Sequence, residues 1–278
     1  AEVIYVNLTA YNNGHLQSSF WIVDKQHVYI GSASLDWNSL GQMKELGIIV
    51  YNCSCLVLDL QRIFALYNSL KSKSKVPPTW SKRLYAVYGT KNKLPLKLNE
   101  TKSEVFVSNS PKLLCPKDRT LDTDAIYSVV DNAEEFIYIA VMDYLPIVLA
   151  FLDGKIREAL ILRNIKVRLL ISFSKETNPL TFNFISSLKA ICTEVSDCSL
   201  KVKFFDLESE SNFDWVGTYF NQNAGAGLVI NHADTGNKTS IIKQLKAVFE
   251  RDWYSHYAKS STAKILNCLI YKHSKANQ

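Results

Sequence analysis

The sequence predicts an α/β protein whose sheets are covered on both faces. Three observations carry this. Short apolar runs alternate with stretches of helical spacing along most of the 278 residues. The run Ile48-Ile49-Val50-Tyr51 is apolar at consecutive positions, as in a strand buried on both sides. Hydrophobic residues make up 47% and charged residues 21%, ordinary globular usage that excludes a disordered or collagen-like chain.

Taken in order, residues 3–7 form a short apolar run that reads as a strand. Residues 20–23 and 27–30 flank Asp24-Lys25-Gln26 and predict a hairpin. Residues 47–51 predict a strand. Leu56, Leu60, Ile63, Tyr67 and Leu70 recur at helical spacing through Lys71. From about 71 to 98 the pattern fails: Lys71, Lys73 and Lys75 alternate with Ser, and Pro77-Pro78, Lys91, Lys93 and Pro95 follow, which reads as a linker. Residues 104–107 predict a strand, and Asp122 or Thr123 caps a helix carrying Ile126, Val129 and Val130. Strands at 136–141, 167–171, 202–205 and 228–230 alternate with helices at 156–162 and, from Pro179, 180–192. Ile241, Leu245, Val248 and Phe249 mark a last helix ending before Trp253. Phe182, Phe184, Phe204 and Phe205 belong to a core rather than to a base-stacking platform.

An internal repeat predicts two such units. Asp36-Trp37 is followed after seven residues by Glu45-Leu46-Gly47 and an apolar run; Asp214-Trp215 is followed after seven residues by Asn223-Ala224-Gly225 and another. The first unit spans 1–98, with the linker at about 71–98, and the second 99–278.

Net charge is +6, too mild to argue for an anionic partner. The most apolar stretch, 136–152, is broken by Asp143 and Pro146, so it is no membrane span. The six cysteines, at 53, 55, 115, 192, 198 and 268, lack the paired spacing of a zinc site, and their 15 possible pairings stay open. Sequons stand at Asn7, Asn52, Asn99 and Asn237. An even cysteine number with several sequons leans toward a lumenal or extracellular setting. Gly225-Ala226-Gly227 precedes a strand and is no dinucleotide loop, and Asp122 and Asp124 read as helix-start carboxylates, not metal ligands. No cofactor or metal is called for.

Gln17-Ser18-Ser19, then Asp24, six residues, and Gly31-Ser32-Ala33-Ser34 resemble the phospholipase D signature His-x-Lys, four residues, Asp, six residues, Gly-Ser-x-Asn. Asp36-Trp37-Asn38-Ser39-Leu40, Lys44-Glu45-Leu46-Gly47, Tyr51-Asn52-Cys53-Ser54-Cys55, Val141-Met142-Asp143-Tyr144-Leu145-Pro146 and Phe249-Glu250-Arg251-Asp252-Trp253 resemble its lumenal branch. The resemblance implies a two-lobed α/β/α fold of mixed sheets flanked by helices, with the first lobe cut short at its N-terminus. In that family a histidine from each half meets at one site. One attacks phosphorus, the other protonates the leaving oxygen, and lysines neutralise the charge that builds up.

Here the histidine position holds Gln17, whose amide is neither nucleophile nor proton shuttle. The lysine position holds Ser19 and the Asn position Ser34; Asp24, Gly31 and Ser32 are kept. His15 does not replace the histidine: a motif started there fails at the lysine, aspartate and glycine positions. In the second half Asp214 stands where Asn is expected, and Asp206-Leu207-Glu208-Ser209-Glu210 leaves no room for a second His-x-Lys strand.

The expectation is therefore an inactive phospholipase D-like protein acting by binding an unidentified protein partner, with a phosphate-containing ligand held weakly at most. The resemblance further implies a single-pass type II membrane glycoprotein anchored by a segment upstream of Ala1. It implies a Cys115–Cys268 disulfide, Cys53 and Cys55 paired with upstream cysteines, and a short loop closed by Cys192 and Cys198.

Overall fold

The computed structural model describes residues 2–12, 14–41, 44–71, 75–141, 144–146, 150–173, 177–206, 223–232 and 240–260. The chain divides into two compact units, Ala1–Ile126 with Thr218–Ser240 and Tyr127–Gly217 with Ile241–Gln278.

In the first unit, after a single helical turn α1 (Thr9–Asn12), β1 (Ser19–Val23), β2 (His27–Gly31) and β3 (Gly47–Val50) form an antiparallel sheet in that order. The β1–β2 hairpin forms because Asp24 and Lys25 both take left-handed backbone, φ 52° and 54°, the geometry of a tight turn matched to strand twist. Between β2 and β3 lies the short α2 (Trp37–Gly41). Gly31 and Gly47 pair, and the Tyr29 ring lies across both, where a Cβ at either would collide with it.

The helix α3 (Ser54–Ser69) turns Leu56, Leu60, Ile63 and Leu66 into a core with Val28, Ile30, Val50 and Val107. The opposite sheet face stays open, with Val23 52%, Ile49 53% and Tyr51 67% exposed. The apolar run at 48–51 is thus covered on one side among the described residues.

A second sheet runs β10 (Gly225–His232), β5 (Thr101–Ser110), β4 (Leu94–Leu98), with the two-residue β6 (Thr120–Leu121) parallel to β5. One ion pair ties α3 to it. Arg119 grips Asp59 through Nη1–Oδ2 at 2.6 Å and Nη2–Oδ1 at 2.9 Å, both side chains almost fully buried. Arg119 Nη1 also donates to the Val107 carbonyl, and Asp59 Oδ1 accepts from the Val87 amide.

The unit boundary falls within α4 (Asp122–Asp131). In the second unit β7 (Phe136–Val141), β8 (Lys166–Phe173) and β9 (Leu200–Asp206) are parallel, and β11 (Ala258–Ser260) adds antiparallel to β9. Phe182 of α6 (Leu180–Glu194) packs on Phe204 on one face, and α5 (Ala150–Ile161) buries Ile156, Ala159 and Leu160. On the other face Phe249 and Trp253 of α7 (Ile241–Trp253) pack with Leu170 and Phe205. Arg163 closes the C-terminal end of α4 by donating to the carbonyls of Val130, Asp131 and Ala133. Cys192 and Cys198 form the short-loop disulfide.

Several expectations change. Residues 3–7 are not a strand: no partner strand pairs them, and Tyr5 is 88% exposed. Part of the expected linker is structure, since Leu94–Leu98 is β4 and Val76, Trp80, Leu84 and Tyr88 pack on the core. The division after residue 98 cuts the β4–β5 hairpin, where Asn99 and Glu100 make the left-handed turn (φ 45° and 66°). Both strands lie in the first unit.

Arg119→Ala leaves the Asp59 carboxylate buried without its cation. It is expected to lower stability by about 3–5 kcal/mol, read as a shifted urea midpoint at unchanged slope; a loss under about 1 kcal/mol would show that the pair does not hold the unit.

Candidate functional site

The segment ahead of β1 carries position 17, and the residues ahead of β10 hold it. Gln17 N donates to Ala224 O at 2.9 Å, Ala224 N to His15 O at 2.9 Å, and His15 N to Asn223 Oδ1 at 2.8 Å. These bonds clamp residues 15–17 against 223–224 as a one-rung parallel bridge between Leu16 and Ala224. Within the clamp Asn223 Nδ2 donates to Gln17 Oε1 at 3.1 Å. Two neutral amides therefore meet at position 17, where the resemblance leads one to expect an imidazole. Neither acts as a nucleophile or titrates near neutral pH.

Ser18 continues the contact inward. Its Oγ donates to Ala224 O at 3.3 Å and lies 3.0 Å from Tyr67 Oη, which donates to Asn109 Oδ1 at 3.3 Å. Burial pushes the Tyr67 phenol upward, so it stays protonated.

The kept motif positions do structural work. Asp24 sits in the β1–β2 turn, exposed. Five strand residues at ~3.3 Å each put it ~17 Å from Ser19, so it does not orient a group at position 17. Ser19 pairs with Gly31 in the hairpin ladder. Ser32 N donates to Leu46 O at 3.0 Å, and Ser32 Oγ accepts from Leu46 N at 3.0 Å. Ser34 N donates to Ser39 Oγ at 2.8 Å, while Ser39 N donates to Asp36 Oδ1 and Ser39 Oγ to Glu45 Oε1, both at 2.9 Å. The other Glu45 oxygen, Oε2, is buried without a hydrogen-bond partner.

Asp122 is no helix cap. Its carboxylate is buried over Gly225 and Gly227, where any Cβ would crowd Ser110 Oγ or Ser108 Oγ. Those hydroxyls reach the carbonyls of Asn223 and Gly227 at 3.4 Å, and Asp122 Oδ1 has no partner. Desolvation raises its pKa from 3.8, opposed in part by Ser108 and Ser110.

Asn223 and Tyr67 were not singled out as site residues. Asn223 did carry a signal, its place in the repeat opposite Glu45; Tyr67 showed only helical spacing. Asp214, Cys268 and Asn237 lie outside the described residues. Cys115 is a free thiol, its Sγ 3.3 Å from Arg119 O, with its pKa pushed up to about 12 by burial. Cys53 is buried and Cys55 exposed, both free. Asn7, Asn52 and Asn99 are exposed. Among the described residues no group of His, Cys, Asp and Glu could hold a metal, and no helix is long and apolar enough to cross a membrane.

A family profile described as "PLD3/4, PLD-like domain" matches residues 1–210. Proteins named "Inactive phospholipase D5" from Mus musculus and Homo sapiens are each 66% identical over an aligned length of 307, covering 96% of this chain and 57% of their own. A protein named "5'-3' exonuclease PLD3" from Xenopus tropicalis is 36% identical, covering 94% of this chain and 60% of its own. The chain thus spans under two thirds of the length of these relatives. The aligned length of 307 exceeds the 278 residues of the chain, so the inactive relatives carry residues inside the matched region that have no counterpart here.

The raised pKa of Asp122 means that the folded state holds its proton more tightly than the unfolded chain. The resulting stabilisation is complete below pH 3.8 and is lost as pH rises through the higher folded value. Asp122→Asn should remove that loss: the stability of the variant relative to the parent is expected to increase from pH ~4 to ~7 in urea titrations. A flat difference would contradict it.

Proposed function

The chain belongs to the phospholipase D-like family, and we propose that within it this is a catalytically inactive member that acts by binding. The carrying observation is the Gln17–Asn223 amide pair at the position of the attacking imidazole. A phosphodiesterase of this kind needs a nucleophile that leaves phosphorus again, an acid for the leaving oxygen and cations for the non-bridging oxygens. Position 17 supplies a carboxamide already engaged, and position 19 a hydroxyl in the hairpin ladder. The name borne by the relatives at 66% identity supports the same reading.

The working form in this proposal is the lumenal or extracellular part of a single-pass type II membrane glycoprotein, with a protein as partner. Support comes from the Cys192–Cys198 disulfide and from three sequons at exposed asparagines, two of them, Asn52 and Asn99, in left-handed turns. A phosphate-bearing ligand at position 17 is at most weakly held: the groups beside it are amides and hydroxyls, and the signature lysine is absent.

Incubated with a single-stranded DNA oligonucleotide or a chromogenic phosphodiester, the protein is expected to give no turnover above buffer, and intact-mass spectrometry no phosphorylated species. Turnover abolished by His15→Ala, or a trapped phosphoryl group on any residue, would establish residual phosphodiesterase activity instead.

A further inference from the structure

The second unit gathers positive charge on the sheet face that α7 covers. Register places Phe136 beside Lys166, Tyr138 beside Arg168, Arg168 beside Lys201, and Leu170 beside Lys203. Residues paired in a parallel ladder share a face. The side chains confirm it. The Arg168 guanidinium lies 4.9 Å from the Tyr138 ring centre and 5.5 Å from that of Trp253. Lys203 Nζ lies 5.2 Å from the same Trp253 ring, and Lys246 Nζ from α7 lies 4.7 Å from Phe136. Lys166 and Lys201 are exposed.

Five cations thus share this face. Among the described residues one carboxylate comes within ion-pair range of any of them, Glu250, 3.7 Å from Arg168. That is beyond hydrogen-bond reach, and Arg168 Nη1 is buried without a partner. Like charges side by side on neighbouring strands repel. The aromatic faces account for Arg168, Lys203 and Lys246; they do not account for Lys166 and Lys201.

We propose that the uncovered part of this face, carrying the exposed Lys166 and Lys201 with the half-buried Arg168, Lys203 (its Nζ also donating to Trp253 O at 2.7 Å) and Lys246 around α7, binds a linear sulfated polysaccharide. The cations are spaced ~4.8 Å across strands and ~6.6 Å along them, a plane of fixed charge suited to a polymer with repeated sulfates. The Trp253 ring is 4% exposed and already covered by two cations, so it offers no base-stacking surface to a single-stranded nucleic acid. This site lies in the other unit from the Gln17 motif and does not depend on it.

The test is calorimetric titration of the whole chain with a heparin decasaccharide over a salt series. Lys166→Gln with Lys201→Gln should lower the slope of log affinity against log salt by about 2 and weaken binding at least about tenfold near ~0.1 M salt. Both side chains are exposed, so thermal unfolding should not move. Glu134→Gln with Glu135→Gln, at the start of β7, should tighten binding. Lys97→Gln with Lys102→Gln, the same charge change on the first unit's hairpin, should leave affinity within about twofold. Absence of binding, equal weakening by the Lys97 and Lys102 pair, or tighter binding of an oligothymidylate of equal charge would overturn the proposal.

Discussion

The buried pair of Asp59 and Arg119 sets the geometry on which the first unit rests. Each ion loses several kcal/mol of hydration on burial. The structure offsets this with two near-ideal contacts and with backbone partners at Val87 and Val107. Such a pair acts less through net stability than through what it forbids. With Arg119 fixed just before β6 and Asp59 in the middle of α3, that helix can neither slide nor rotate against β5 without stranding a charge. Tyr67, about two turns further along α3, is thereby delivered to Ser18 and Asn109. The depth of the 15–18 segment, and so the place of position 17, follows from a contact made elsewhere in the fold.

The chemistry at position 17 is then a matter of charge balance. An imidazole that cycles through a phosphorylated form needs cations beside it and a carboxylate behind it. An amide paired with an amide needs neither, since both are neutral and each satisfies part of the other. Substitutions at 17 and at 19 are therefore linked in physical terms under the proposed reading: with no anionic intermediate to stabilise, a lysine at 19 would have no anion to serve. The carboxylates that persist show the same logic from the other side. Glu45 and Asp122 each keep a buried oxygen with no hydrogen-bond partner.

Legibility from sequence followed the range of the interaction. The β1–β2 hairpin, α3 and the parallel strands β7, β8 and β9 rest on local turn chemistry or a clean apolar period, and they fall where the pattern put them. The strand β4 was hidden by Pro95 and flanking lysines, which mark an edge strand rather than a break. β5 runs on through Ser108, Asn109 and Ser110, polar residues buried because β10 and α4 cover them. Its partner β10 is more than a hundred residues away in sequence, a pairing no periodicity reveals. At the site, the loss of the histidine was legible as a residue type. Its replacement contact was not, because Asn223 belongs to a distant segment and has no chemical signature of its own.

The described residues of the two matched segments, expected to mark two units, both lie in the first unit, and their backbone bonds hold the motif residues in place. Leu46 and Ala224 are matched positions, each just before the glycine that opens a strand. Each offers its backbone carbonyl to the amide of a motif residue, Leu46 to Ser32 and Ala224 to Gln17. These bonds use main-chain atoms, so they are indifferent to the side chains at 17, 19 or 34. Asp24 holds its turn through backbone conformation, and Gly31 is fixed by the Tyr29 ring. The positions that kept their residues do so for reasons of fold, and the positions that changed are those whose side chains only chemistry required. Under the proposed inactive reading, the demand for catalysis has been lifted while the demand for the architecture remains.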